Sequence, residues 1–167
     1  MQKPDLHYHN ISDLNDFHTY LNQMFLKHQI AIMNGKLDNA YSQLRFLLKL
    51  IKRHISDEEE LLIPVYEKLI RPEPPGGAIL FYLREHRQIL RNLNKFVINL
   101  KEWLTNPPRQ IDIVRQFDSY YKFKELLDHH DSRERVFLYR LLDQKLNQKE
   151  KNIILDKIRM NPDDMNV

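Results

Sequence analysis

Two short segments of the chain repeat one pairing. His54-x-x-x-Glu58 and His130-x-x-x-Glu134 each set an imidazole and a carboxylate four residues apart, one turn along the same face of a helix. Both pairs fall on apolar seams with alternating spacings of three and four. The first reads Leu44, Leu47, Ile51, His54, Glu58, Leu61, Val65, and the second Phe123, Leu127, His130, Glu134, Phe137, Leu141. A third seam, Ile79, Leu83, His86, Leu90, Leu93, Val97, Leu100, carries His86 where its neighbours are aliphatic. A carboxylate on a core-facing seam is costly unless it is paired or coordinates a cation. A single HxxxE is ordinarily a surface ion pair. Two of them on seams, with a seam histidine on a third segment, call for one explanation. Carboxylates can bridge two metals while imidazoles cap each one, the way helical bundles build di-iron centres from facing helices. Imidazole mixed with carboxylate suits iron better than magnesium or calcium, which prefer all-oxygen shells, and a lone structural zinc would use fewer and softer ligands.

The fourth segment offers His129 beside His130, and only one can face inward. Four residues beyond His129 stands Arg133, and four beyond His130 stands Glu134, so His130 is the candidate ligand and His129 a flanking residue. The first segment has the seam His18, Leu21, Phe25, His28, Ile32, on which both His18 and His28 qualify. Depth along a bundle offers a test. His18 and His54 are equally distant from a turn centred near Lys36, whereas His28 falls about 15 Å short along the axis at ~1.5 Å per residue. His86 and His130 are likewise symmetric about Pro108. The midpoint of His54 and His86 is residue 70, at the edge of a loop, which asks one helix to overrun its partner by about a turn. A first turn nearer Tyr41 would reverse the choice, and both His18 and His28 stay candidates.

These side chains need four long helices to hold them. Gly35 ends the first segment, expected from about Ser12 to Asn34. Asp38 is a plausible N-cap for the second, which runs to about Ile70. Arg71-Pro72-Glu73-Pro74-Pro75-Gly76-Gly77 is a loop. The third helix spans about Ala78 to Thr105, Asn106-Pro107-Pro108 ends it, and the fourth spans about Ile111 to Leu146. A short fifth, about Lys149 to Ile158, precedes a polar tail from Met160. With three glycines in 167 residues and no strand-like alternation, the fold class is all-α. The expected architecture is an up-down-up-down four-helix bundle (about 12–146) with a short C-terminal fifth helix, in one domain. There is no cysteine, which excludes disulfides, thiolate catalysis and cysteine-ligated metal. The net charge of +3 is spread among interleaved acids and bases, so no nucleic-acid partner is expected. The start, Met1 to Asn10, has no apolar run of the kind a secretion signal carries, and no stretch approaches the length of a membrane span, so no membrane partner is expected and the cytoplasm is the default.

Four stretches together resemble the hemerythrin-like, HHE cation-binding family. They are Lys27-His28-Gln29, His54-Ile55-Ser56-Asp57-Glu58-Glu59-Glu60-Leu61-Leu62-Ile63-Pro64, Glu85-His86-Arg87-Gln88-Ile89 and His129-His130-Asp131-Ser132-Arg133-Glu134. The resemblance implies a four-helix bundle holding two irons bridged by carboxylates and an oxo or hydroxo group, and binding of dioxygen, nitric oxide or a related small ligand. The pair at His28-Gln29 resembles a motif of some members and favours His28 over His18, against the depth comparison. Two departures separate the chain from oxygen-carrying members. Leu90 stands where they have a second histidine on the third helix, and Glu134 follows its histidine by four residues rather than five. The pattern is closer to members that resemble iron-centre repair proteins and iron- or oxygen-sensing domains, although those repair proteins often carry a cysteine-bearing N-terminal segment and this chain has no cysteine.

The expected function is therefore a di-iron protein in which Glu58 and Glu134 bridge the metals. His54, His86, His130 and one of His18 or His28 complete the set. Four histidines for two metals leave each iron an open position for a small ligand. An enzyme acting on peroxide or nitric oxide at the same metals is the alternative, and a metal-free helical interaction module the second.

Overall fold

The computed structural model describes residues 8–159. His7 and the polar tail from Met160 lie outside the described residues. A short 3-10 turn, Ile11–Leu14, leads into α1 (Asn15–Met33). Helix α2 (37–69) consists of an α-helical run, Leu37–Asp57, a π-helical turn, Glu58–Leu62, and a last α-helical run, Ile63–Leu69. Helix α3 is Ile79–Trp103. Helix α4 (110–145) repeats the construction of α2, with Gln110–Arg133, a π-helical turn at Glu134–Tyr139 and Arg140–Lys145. The short α5 is Gln148–Leu155. Among the described residues there is no strand. The chain is an all-α bundle with a short C-terminal helix.

The ends of the helices follow from local chemistry. Gly35 takes φ +68° after α1, and its N–H bonds Ile32 O (2.9 Å) while that of Lys36 bonds Ala31 O (2.9 Å). This left-handed cap uses carbonyls the helix would otherwise leave orphaned. The N-cap position of α2 belongs to Lys36, without a side-chain hydrogen bond, and Asp38 lies inside the first turn. Asp38 is therefore not the cap expected of it; it is a first-turn acid facing the positive end of the helix dipole. Asn147 and Glu150 form a reciprocal capping box at the start of α5 (Glu150 N to Asn147 Oδ1 3.1 Å, Asn147 N to Glu150 Oε2 2.9 Å).

Contacts along the axis establish the topology. On α1 and α2, His18 meets His54 and His28 meets the Ala40 carbonyl. Between α2 and α3, Glu59 meets His86 and Tyr66 meets Tyr82. Between α3 and α4, His86 meets His130 and Phe96 meets Tyr120. Each pairing runs antiparallel, and Phe25 on α1 closes the bundle against Phe123 on α4 (ring centroids 5.2 Å). The four aromatic rings of Phe25, Phe96, Tyr120 and Phe123 form a buried layer across all but α2. That layer separates the half of the bundle holding His18, His54, His86 and His130 from the turn at Gly35. At the other end, Tyr66 donates to Gly77 O (2.9 Å) and pins the 70–78 connection over the helix ends. Asp143 accepts the N–H groups of Ile11 and Ser12 (both 2.9 Å) and pairs with Lys151 (3.1 Å), so α5 and the N-terminal turn dock on the end of α4.

Candidate metal centre

Six of the expected residues meet in the bundle core. His18, His54, Glu58 and Glu134 form one group of mutually close ligand atoms, and Glu58, His86, His130 and Glu134 form a second. All six are buried. Both glutamates belong to both groups, and each group adds two histidines of its own. Oε2 of Glu58 lies 3.4 Å from His54 Nε2 and 3.3 Å from His86 Nε2, so this one oxygen stands between the halves. Glu134 divides its oxygens. Oε1 lies 2.8 Å from His130 Nε2 and 3.5 Å from His86 Nε2, while Oε2 lies 3.2 Å from His18 Nε2.

The outer nitrogens of two rings are held by carboxylates. His86 Nδ1 donates to Glu59 Oε1 (2.8 Å) and His130 Nδ1 to Glu85 Oε2 (3.2 Å). A proton fixed on Nδ1 leaves Nε2, which faces the centre, as the electron-pair donor of the neutral ring. Arg133 in turn anchors Glu85 (3.2 Å) and lies over the Phe81 ring, 4.7 Å from its centroid. His18 Nδ1 faces Asp131 at 3.7 Å without a hydrogen bond.

This donor set fits cations better than it fits itself. Glu58 Oε2 and His130 Nε2 are buried and make no hydrogen bond, although other members of the cluster lie within 3.5 Å of each. Close but misaligned polar atoms are what a shared central ligand would satisfy. The protein groups alone also stand in electrostatic conflict. Burial and the neighbouring Glu134 push Glu58 up to about 8. Burial works against the imidazolium of His86, yet its contacts with Glu134, Glu58 and Glu59 carry it up to about 11. His130 is raised in the same way, against burial, by Glu134 and Glu85. Burial, then the nearby His18, drive His54 well below the usual histidine range. A cation between the glutamates would relieve their repulsion and take the place of these protons.

His28 lies outside both groups. Its Nδ1 donates to the Ala40 carbonyl (2.9 Å) and its Nε2 meets the Tyr120 hydroxyl (2.7 Å), beyond the aromatic layer. His129 is an exposed neighbour, 2.7 Å from Arg133 Nη2. One residue at the centre was not anticipated. Tyr139 is fully buried, and its hydroxyl donates to Glu58 Oε1 and lies 3.2 Å from His18 Nε2 and 3.4 Å from Glu134 Oε2. Burial, then Glu134 and Glu58, raise this phenol well above its ordinary value. Glu59, Glu85 and Asp131 were equally without an expected role.

Beside the cluster, Leu21, Phe25, Leu47, Ile51 and Ile89 line a largely apolar cavity of about 20 Å³ that reaches His18, His54 and His130. A water molecule needs roughly 10–15 Å³, so the space is little larger than one water. No helix of the described residues is long and apolar enough to cross a membrane.

Comparison with curated proteins and with solved structures returned no match. The family model described as Hemerythrin HHE cation binding domain matches residues 9–142. That span contains both HxxxE pairs, His18, His86 and Tyr139, and stops short of α5. Its breadth, together with a buried histidine–glutamate cluster fit for metal, decides the assignment: the chain belongs to the hemerythrin HHE cation-binding domain family.

Proposed function

We propose that this chain is a non-haem di-iron protein that binds dioxygen, nitric oxide or a related small ligand, for sensing, storage or a stress response. The observation that carries the reading is the sharing of Glu58 and Glu134 by two four-residue groups. Two cations bridged by two carboxylates, each with two imidazoles of its own, account for every buried member of the cluster. His18 and His54 would serve one iron, and His86 and His130 the other. The choice of iron rests on the mix of imidazole and carboxylate donors in a chain without cysteine. Four protein donors per metal leave coordination positions free, and the adjacent apolar cavity limits what reaches them to small molecules. When bound, the irons supply Lewis-acid and redox chemistry toward such a ligand. The residues of the chain hold His86 and His130 in one tautomer through Glu59 and Glu85, keep the site dry, and restrict access.

The test is metal analysis and ultraviolet–visible spectroscopy of protein from iron-supplied cells, beside Glu58→Ala and Glu134→Ala. About two irons per chain, lost in the variants, is the expected result. Absence of stoichiometric metal in the unaltered protein would refute the proposal. Turnover of peroxide or nitric oxide by the iron-loaded chain would point to an enzyme at the same metals instead of a reversible binder.

A further inference from the structure

The two helices that carry the HxxxE pairs share one construction and differ at a residue that reaches the centre. In α2, His54 and Glu58 lead into a π-helical turn, and the residue five beyond the glutamate is Ile63. In α4, His130 and Glu134 lead into a π-helical turn, and the corresponding residue is Tyr139. In an α-helix, residues five apart diverge by roughly 140° around the axis, and a tyrosine there would point away from Glu134. The i→i+5 bonding of the π-turn closes that angle. Tyr139 is thereby brought onto the face of Glu134, at the centre of the bundle.

We propose that Tyr139 is a positioning residue for the bridging carboxylates: by donating its hydroxyl hydrogen to Glu58 Oε1, it restricts Glu58 to bridging through Oε2 alone, while Glu134 offers one oxygen to each half. The distances describe that asymmetry directly. Oε1 of Glu58 is engaged by the phenol, and Oε2 is the atom near both His54 (3.4 Å) and His86 (3.3 Å). Glu134 reaches the two halves with separate atoms, Oε2 toward His18 (3.2 Å) and Oε1 toward His130 (2.8 Å). The Tyr139 hydroxyl also touches His18 Nε2 (3.2 Å) and Glu134 Oε2 (3.4 Å), so the carboxylates and the first-helix imidazole are referred to one fixed point. Without that hydrogen bond Glu58 could swing to chelate one cation with both oxygens, leaving the second with a single bridge. The inference rests on the proposed di-metal function and adds to it a reason for unequal half-sites.

The test compares the unaltered chain with Tyr139→Phe, which keeps the ring and removes the hydroxyl. Both are stripped of metal, checked for folding by circular dichroism, and titrated with cobalt(II) under anaerobic conditions while visible ligand-field bands are followed. The expected result is two equivalents for the unaltered chain, and for the variant a second equivalent bound about tenfold more weakly with altered bands. Two equivalents bound alike by both proteins, even with a lower melting temperature in the variant, would overturn the inference and leave the function standing. An unaltered chain that takes up no cation would overturn both. A second measurement needs no variant: zinc loading of the unaltered chain should leave the tyrosine ultraviolet spectrum that of a protonated phenol. A tyrosinate difference spectrum on loading would make Tyr139 a ligand and overturn the positioning role.

Discussion

The surroundings of His28 favour the neutral ring, and the consequence for stability can be worked out. The Ala40 carbonyl can only accept, so Nδ1 must carry a proton and donate to it (2.9 Å). Nε2 then accepts from the Tyr120 hydroxyl (2.7 Å). A second proton, on Nε2, would displace that hydroxyl hydrogen inside a fully buried pocket. Burial, partly offset by the Ala40 carbonyl, accordingly lowers this histidine to about 4. In the unfolded chain the value returns to about 6.5. Above pH 6.5 neither state binds the proton and His28 adds no pH dependence. Below it the unfolded state is protonated first, and stability falls until the pH reaches about 4, where the folded state also protonates. At 1.36 kcal/mol per unit, the loss by pH 4.5 is about 2–3 kcal/mol relative to pH 7.5. The assay is denaturant unfolding of unaltered and His28→Gln protein at these two pH values, with chelator present so that metal release adds nothing. The variant should be less stable at pH 7.5, having lost a hydrogen-bonding ring, but its further loss on acidification should be smaller by about 2–3 kcal/mol. An equal acid slope in both proteins would refute the neutral, double-bonded assignment. The same variant should retain its metal content, since His28 lies beyond the aromatic layer. Loss of metal would return His28 to the ligand set in place of His18.

Two further outcomes follow from contacts on either side of the centre. Glu85→Gln removes the charge that holds His130 Nδ1 (3.2 Å) and Arg133 (3.2 Å), and should weaken cation binding roughly tenfold without unfolding the chain; metal titration with an unchanged affinity would show that Glu85 only ties α3 to Arg133. Gly77→Ala would place a methyl group 2.7 Å from the Tyr66 hydroxyl and 2.8 Å from Pro74 Cγ, breaking the pin between Tyr66 and the 70–78 connection at a cost of roughly 1–3 kcal/mol; a thermal melt equal to that of the unaltered chain would show that the connection yields freely.

Helix count, order and turns were legible because the breakers are strong and the seams long. Gly35, the Pro- and Gly-rich run at 71–77 and Asn106-Pro107-Pro108 fall where the helices end. Depth along the bundle set His18 opposite His54, and the two Nε2 atoms stand 3.0 Å apart. What periodicity could not carry was the phase beyond each glutamate. The expected seams continued through Leu61 and Val65, and through Phe137 and Leu141. The structure instead buries Leu62 and Tyr66, and Leu138 and Leu142, each one residue later. A π-turn holds one residue more than an α-turn, and it begins at Glu58 and again at Glu134. That single extra residue rotates the rest of each helix and hides Tyr139 from any reading at 3.6 residues per turn. It also bears on the middle connection, whose midpoint fell at the loop edge: His86 meets Glu59 (2.8 Å), about a turn beyond His54. Glu59 and Glu85 escaped notice for a different reason. Each adjoins a centre residue in sequence, and only the three-dimensional pairing of Glu59 with His86 and of Glu85 with His130 shows which carboxylate supports which ring.

The recurrence of the π-turn gives it a structural meaning. A lone departure from α-helical bonding could be a local accommodation to packing, but two, each beginning at the glutamate of an HxxxE pair, point to that carboxylate as a common cause. Widening the helix at its carboxylate frees the side chain from the 3.6-residue register while the histidine one turn earlier keeps it. The imidazoles are thus carried on regular α-helix, where rotamer and depth are well determined, and the bridging carboxylates on the segments where the backbone is adjusted. Such a division suits a centre whose carboxylates must each reach two partners. If it is the cause, replacing either glutamate by leucine should let its segment relax toward α-helical bonding and return Leu61 and Val65, or Phe137 and Leu141, to the core. Amide exchange across 58–62 and 134–139 would report the change, and unaltered protection in both segments would show that the turns arise from packing independent of the centre.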